Sequence, residues 1–325
     1  MLCIYNKNTN PYFNLACEEY LLKNFDDEFF MLWRNSPCVV IGKNQNTLSE
    51  INREYVKENN ITIVRRLSGG GAVFHDLGNI NFTFISNKKE SFNDFQRFTL
   101  PIIDVLKSLC INAKFTGRND LTIDDKKFSG NAQYCYKNRV LHHGTLLFSS
   151  NTSDISKSLM VNEKKFEGKA VKSVKSRITN ISSHLKFKME VTEFIEFLMH
   201  YALNSMGNSK FYQLTSDDIN KIEKLKNEKY STYEWNFGTS PKYSFRNEMK
   251  YAGGLIEFNC NVEKGFIKEA KFFGDFFGRY DVSDVEKALI GILYTEDNIR
   301  STLLKLNLDN YFYNISVDEL IKLMF

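Results

Sequence analysis

The stretch RRLSGGGAVFHD, Arg65 to Asp76, constrains this chain more than any other. Three consecutive glycines stand between two arginines and a His–Asp pair, with apolar, strand-like sequence on both sides. Glycine lacks a Cβ, so at Gly69, Gly70 and Gly71 a ligand can lie directly on the main chain, and positive φ is open. Successive N–H groups can then turn toward one point and form an anion nest. Arg66, just upstream, offers a forked donor to phosphate or carboxylate. The triple glycine alone reads as a tight turn between strands; the arginines are what raise an anion site beside that reading. The run is neither a Walker loop nor a G-x-G-x-x-G fingerprint.

Hydrophobic patterning around this segment predicts mixed structure. NPYFNLACEEYLLKN reads as a helix capped by Asn10, with Pro11 where proline is tolerated. FFMLWRN, CVVIG, ITIVRR and INFTFIS read as strands. LSEINREYVKENN reads as a helix capped by Ser49, and FQRFTLPIIDVLKSLC as a helix that Pro101 kinks or begins. Residues 121–150 read as consecutive strands with turns at Asp124-Asp125 and Lys137-Asn138. Beyond a change of character near residue 247, a hairpin turning at Gly265 precedes the helices DVSDVEKALIGILY and SVDELIKLM. Ser316 and Glu319 stand at capping-box spacing in the last. Hairpins among helices argue for α+β rather than a doubly wound parallel sheet. The chain divides into residues 1–246 and a small unit, 247–325.

At 325 residues there is enough chain for one large core and a smaller one. A net charge of +4, from 43 basic and 39 acidic residues, lacks the basic excess of a dedicated nucleic-acid binder. It suits anionic small molecules or an acidic partner protein. No apolar run approaches the roughly 20 residues that span a bilayer, and no signal peptide is visible. The six cysteines show no C-x-x-C spacing, so a reduced cytoplasmic compartment is expected.

Other segments carry polar groups whose plain readings are structural. His75 and Asp76 fit a hydrogen-bonded turn, and Asn119-Asp120 an Asx turn or a Mg²⁺ carboxylate. Lys127 precedes Gly130 by three residues, as a solvated lysine or a phosphate contact. HHGTLLF brings His142, His143, Gly144 and Thr145 to the start of a strand. SVKSRITN, residues 173–180, is basic and hydroxyl-rich, suited to a loop closing on an anion.

The order of these segments is more specific than any one of them. RRLSGGGAVFHDLGNINFTF, GRNDLTIDDKKFSGNAQ, HHGTLLF, VKSRITNI and WNFGTSPKY together resemble the lipoate–protein ligase A family, in the superfamily that also holds biotin–protein ligases and octanoyl transferases. The resemblance covers essentially the whole chain. It implies a large mixed-sheet catalytic domain plus a small α+β C-terminal domain. It implies that lipoate is joined to AMP from ATP with Mg²⁺, then passed to a lysine of a lipoyl-domain acceptor. Such acceptors are acyltransferase subunits of 2-oxoacid dehydrogenases and the glycine cleavage H protein; octanoate is an alternative acid. No nucleic-acid or membrane partner is implied.

By the same resemblance, Arg66, Ser68 and Gly69 to Gly71 close on the lipoyl group and AMP, and Ala72, Val73 and Phe74 contact the nucleotide. Lys127 is the catalytic lysine at the acyl phosphate. Asn119 and Asp120 lie near phosphates and metal, Asp120 as the metal ligand. Lys172, Ser176 and Arg177 belong to the adenylate-binding loop. His75, Asp76, Asn79 and His143 support the glycine motif. The small unit carries no phosphate motif and is expected to supply no catalytic group. Rival readings are an ATP-independent acyl transferase or amidotransferase, with Cys135 the cysteine nearest a motif, and a non-catalytic lipoate binder.

Overall fold

Asn79–Ser86 is buried along all eight of its residues, so both of its faces are covered. What covers each face organises the molecule. The computed structural model describes residues 1–88, 91–159, 177–237, 245–263 and 265–325.

The strands are β1 (Leu2–Asn6), β2 (Phe29–Trp33), β3 (Cys38–Ile41), β4 (Thr62–Arg65), β5 (Val73–His75), β6 (Asn79–Ser86) and β7 (Ala113–Thr116). They continue with β8 (Asp120–Ile123), β9 (Lys126–Tyr136), β10 (Arg139–Leu147), β11 (Lys210–Phe211), β12 (Phe245–Tyr251), β13 (Gly254–Glu263) and β14 (Phe266–Gly274). The main sheet has eight strands in the order β11-β1-β2-β6-β10-β9-β8-β7. Its β1 pairs are parallel and β2 onward is antiparallel. A smaller sheet, β4-β3-β5, carries the two ends of the glycine motif.

Side chains alternate across these strands. Ile80, Phe82 and Phe84 of β6 join Phe30, Leu32, Phe98, Phe128 and Phe194 in a core beneath the helices Phe95–Ser108 and Val191–Ser205. Removing one such ring costs about 3–5 kcal/mol. Ile85 belongs to the opposite core, with Met31, Trp33, Leu141 and the helix Pro11–Asn24. Asn81 and Thr83 share that second face, and the site is built there.

The first helix is capped as its sequence predicts: Asn10 Oδ1 accepts from Tyr12 N and Phe13 N. Asp124 and Asp125 both take positive φ, the requirement of a tight primed hairpin turn. LSEINREYVKENN departs from the expectation. It forms two short helices, Thr47–Glu50 and Arg53–Glu58, and Asn52 rather than Ser49 caps the second. The break falls at Ile51, which is buried and held extended by an antiparallel bridge to Leu159. The helix through Pro101 starts earlier, behind Asp94, whose carboxylate accepts from Arg97 N.

The sheet β12-β13-β14 forms the base of a C-terminal unit with its own core around Phe258, Phe272, Phe276 and Leu320. Gly265 turns its hairpin at φ 84°. The helix beginning at Ser283 ends at Leu289, short of the predicted ILY, because Gly291 N donates to Ile267 O and pulls the chain back to β14. The final helix, Val317–Met324, has the predicted capping box at Ser316 and Glu319. Among the described residues, no helix is long and apolar enough to cross a membrane.

Candidate active site

One row of residues crosses five strands of the main sheet. Trp33 on β2 stands opposite Asn81 on β6, and Asn81 opposite Thr145 on β10. Gly130 N on β9 donates to Thr145 Oγ1 at 3.2 Å, and Gly130 stands opposite Asp120 on β8. Four strand spacings of about 4.8 Å make the row about 19 Å long. It floors a cavity of about 260 Å³. Leu15, Trp33 and Val40 make one end apolar; Arg118, Asp120 and Lys127 make the other charged. Gly70 and Gly71 border it from above the sheet.

The apolar end is braced by two buried histidines. His143 faces the site and His142 the core, as period-two alternation requires. His142 stacks on Phe98 with centroids 4.8 Å apart, and burial holds its imidazole neutral, well below the ordinary pKa. His143 Nε2 meets Ser68 Oγ at 2.6 Å, and its Nδ1 lies 3.0 Å from both oxygens of Glu18. Glu18 also accepts from Thr83 Oγ1, which accepts from Trp33 Nε1. The aromatic wall and the glycine motif are thus joined through one carboxylate.

His75 lies 6.4 Å from Trp33, centroid to centroid. A relay of amides fixes its tautomer. Asn14 Nδ2 donates to the carbonyls of Asn8 and Arg34 and to Asn35 Oδ1, which leaves Asn35 Nδ2 to face His75 Nδ1 at 3.1 Å. Nδ1 therefore accepts, and Nε2 carries the proton. Burial, then the charges of Arg66 and His143, push this imidazole down to about 3.

The two arginines of the motif separate in role. Arg65 is consumed by structure, donating to the carbonyls of Gly42, Lys43, Gln45, Trp235 and Asn236 and to Thr47 Oγ1. Arg66 lines the cavity and shapes the glycine segment. Its Nη2 donates to Gly69 O and Gly71 O, and its Nε to Ser68 Oγ. Burial lowers its pKa to about 10, so it stays cationic at neutral pH.

The glycines also differ. A Cβ on Gly69 would lie 2.3 Å from Phe276 O, Gly70 takes φ +93°, and around Gly71 there is open space. Ala72 and Val73 continue along the cavity, whereas Phe74 turns into the neighbouring core and an adjoining apolar hollow with Ile155, Leu159 and Ile178.

At the charged end, Lys127 Nζ sits 2.7 Å from Asp120 Oδ1, and both side chains are more than a third exposed. Asn119 lines the cavity beside them and is tied to Asn131 by its carbonyl, which accepts from Asn131 N. Arg118 donates to Gly253 O and to Asp275 O, and its guanidinium lies 4.4 Å from the ring centre of Phe277. Asp275 itself lines the cavity, so the C-terminal unit borders the site.

The remaining sequence candidates are structural or distant. Asp76 receives Gly78 N, Asn79 N and Asn151 N and holds the turn into β6. Asn79 is fully buried and donates to Asn81 Oδ1. Arg177 is partly exposed, and beside it Ile178 bridges to Lys127. Lys172 and Ser176 lie outside the described residues. Cys135 is buried near the tip of the β9–β10 hairpin, its thiol 3.7 Å from Lys137 O, and does not line this cavity. Glu18, Trp33, Asn81, Arg118 and Asp275 were not singled out from sequence. Arg118, inside the GRND segment, and Asn81, inside the segment that begins at Arg65, stood within quoted motifs; Glu18, Trp33 and Asp275 carried no motif signal.

Among the described residues, no three His, Cys, Asp or Glu side chains are grouped to hold a metal. Asp120 and Asp275 are the carboxylates on the cavity. That set fits Mg²⁺, which takes one or two carboxylates together with substrate phosphates.

Residues 10–202 match the family model described as the lipoyl protein ligase A/B catalytic domain, and residues 240–324 match the bacterial lipoate protein ligase C-terminus. The chain is 44% identical over 322 residues to lipoate–protein ligase 1 of Staphylococcus aureus, covering 98% of each chain. Among solved structures it is similar to P. falciparum LipL1 in complex with lipoate, with a TM-score of 0.81 and 28% identity over 99% of this chain and 98% of that one. It is also similar to the bipartite lipoate protein ligase of Thermoplasma acidophilum, described with its E2 lipoyl domain. There the TM-score is 0.65 and the identity 27%, over 75% of this chain and 98% of that one.

Proposed function

The chain belongs to the lipoate–protein ligase family, and from that premise we propose that it converts lipoate and ATP to lipoyl-AMP and then lipoylates a lysine of a lipoyl-domain protein. The observation that carries this reading is one cavity with an apolar end at Trp33 and a charged end at Lys127. An acid with a long apolar tail lies along the row with its carboxylate over Gly130.

In the first step a carboxylate oxygen attacks the α-phosphorus, the bond to the β-phosphate breaks, and pyrophosphate leaves. Both reactants are anions, so preorganised positive charge is what the site must supply. Lys127 supplies it, released from Asp120 toward the new acyl phosphate, and main-chain N–H groups of the glycine segment add to it. Mg²⁺ held by Asp120 and the phosphates would neutralise the remaining charge. In the second step the neutral amine of the acceptor lysine attacks the acyl carbon, the bond to AMP breaks, and the amine proton passes to solvent. No nucleophile from this chain is required. Lys127 stabilises the developing charge on the acyl oxygen.

The catalytic unit, expected over residues 1–246, gives way two residues earlier, at β12, whose Phe245 and Arg246 pair with Cys260 and Asn259, to an accessory unit at its mouth. The acceptors are lipoyl domains of 2-oxoacid dehydrogenases and the glycine cleavage H protein. The Thermoplasma relative, described with an E2 lipoyl domain, supports the first of these. The cysteine pattern and the need for ATP favour the cytoplasm. The test is to incubate the protein with ATP, Mg²⁺ and lipoate and to measure pyrophosphate. Release that depends on lipoate supports the ligase; acyl transfer without ATP removes it.

A further inference from the structure

Among the described residues, two polar groups at the apolar end find no partner. His75 Nε2 and Asn81 Nδ2 are both buried without a hydrogen bond, in side chains only 4% and 2% exposed. Both residues line the cavity and both adjoin Trp33, one through its ring and one through strand register. His75 Nε2 is a donor by necessity, because the amide relay leaves Nδ1 as the acceptor. Asn81 Oδ1 is occupied by Asn79 Nδ2, which leaves its amide nitrogen for the cavity.

We propose that His75 and Asn81 select acids whose tail carries a hydrogen-bond acceptor, such as the dithiolane of lipoate, over plain alkyl acids of the same length, such as octanoate. This rests on the ligase reading above.

Position along the floor is the first argument. Asn81 is two strands from Gly130, about 10 Å. An extended chain advances about 1.2 Å per bond, as a polypeptide does. A carboxylate oxygen over Gly130 therefore brings about the eighth carbon level with Asn81, with the sixth roughly 2 Å short of it and within reach of the two side chains. Lipoate carries its sulfurs on that part of the chain, and octanoate carries only methylenes and the terminal methyl.

The second argument is the cost of stranding donors. Before ligand binds, water reaching the cavity can accept from both groups. An alkyl tail displaces that water and returns nothing, which leaves buried donors unpaired. Sites built to hydrogen-bond a substrate reject analogues that lack the matching group. Sulfur is a weak acceptor, so the discrimination is moderate. About tenfold in kcat/KM is expected, the equivalent of part of one lost buried hydrogen bond.

The experiment measures pyrophosphate release with lipoate and with octanoate in wild type, Asn81→Leu and His75→Phe. Asn81→Leu keeps the volume, and His75→Phe keeps a ring against Trp33. Wild type should favour lipoate by about tenfold, and each variant should cut that ratio severalfold, mainly by improving octanoate use. The wild type alone gives a second measurement that no folding defect can blur. Octanoate with sulfur in place of its sixth carbon should bind about tenfold tighter than octanoate itself. If the wild type treats the two acids alike, or if folded variants keep its ratio, the selection is wrong and the ligase reading stands. If neither acid releases pyrophosphate in wild type, the ligase reading itself falls.

Discussion

His75 has its proton position set by amides two side chains away, and that fixes how stability responds to acid. Its folded pKa is about 3, against an ordinary 6.5. Between those values the unfolded chain binds a proton that the folded chain refuses. The contribution of His75 is therefore complete above about pH 6.5 and is lost progressively toward pH 3. His142, also held neutral by burial, acts with the same sign. Melting temperature should fall between pH 7.5 and 5, and His75→Phe should make that fall shallower. Equal slopes would assign the effect to other groups. At the charged end, Lys127→Ala should cut both adenylation and transfer by about 10²–10³ while the protein stays folded. Its exposed ion pair with Asp120 contributes little to stability, so the melting temperature should hardly move. Near-normal turnover in the folded variant would remove Lys127 from the chemistry.

In the glycine segment, three identical letters carry three different constraints. Gly69 has no room for a Cβ because Phe276 O lies there, Gly70 needs positive φ, and Gly71 faces open space. Gly69→Ala should destabilise the protein, with backbone against backbone and no flexible atom to yield. Gly71→Ala should melt like wild type, and a matching loss in both would show that the segment packs otherwise. The sequence could announce a bare backbone here but could not say which glycine was forced, since Phe276 is remote in the chain. The same limit hid the apolar end of the cavity. Trp33 and Asn81 read as ordinary strand residues because what brings them together on the cavity is cross-strand register, which local periodicity does not encode. Helix caps at Asn10 and Ser316 and the turn at Asp124-Asp125 were legible because their physics is local. The helix predicted through Ile51 failed for the opposite reason: a distant bridge to Leu159 overrode a local pattern.

At the scale of the whole molecule, the C-terminal unit is fastened to the rim of the cavity. Arg118 reaches Gly253 and Asp275, Lys43 pairs with Asp281 at 2.6 Å, and Gly274 N donates to Asn44 O. Phe277 fills the space beneath Arg118 and packs with Phe95. Phe277→Ala should cost about 3–5 kcal/mol at this contact and speed amide exchange at Gly69 to Gly71. Exchange unchanged in a folded variant would mean that the unit does not support the glycine segment. The contacts of Arg118 across this seam join residues 135 and 157 apart in sequence. A ribosome adds about 5–20 residues per second, so Asp275 emerges roughly 8–30 seconds after Arg118. In the later part of that interval, once β11 has been made, a growing chain has Lys127 and the sheet that carries it, but a cavity with one wall still unmade. Completion of the chamber is thus timed by translation, and a slow stretch of messenger between those two points would lengthen the life of the half-built enzyme.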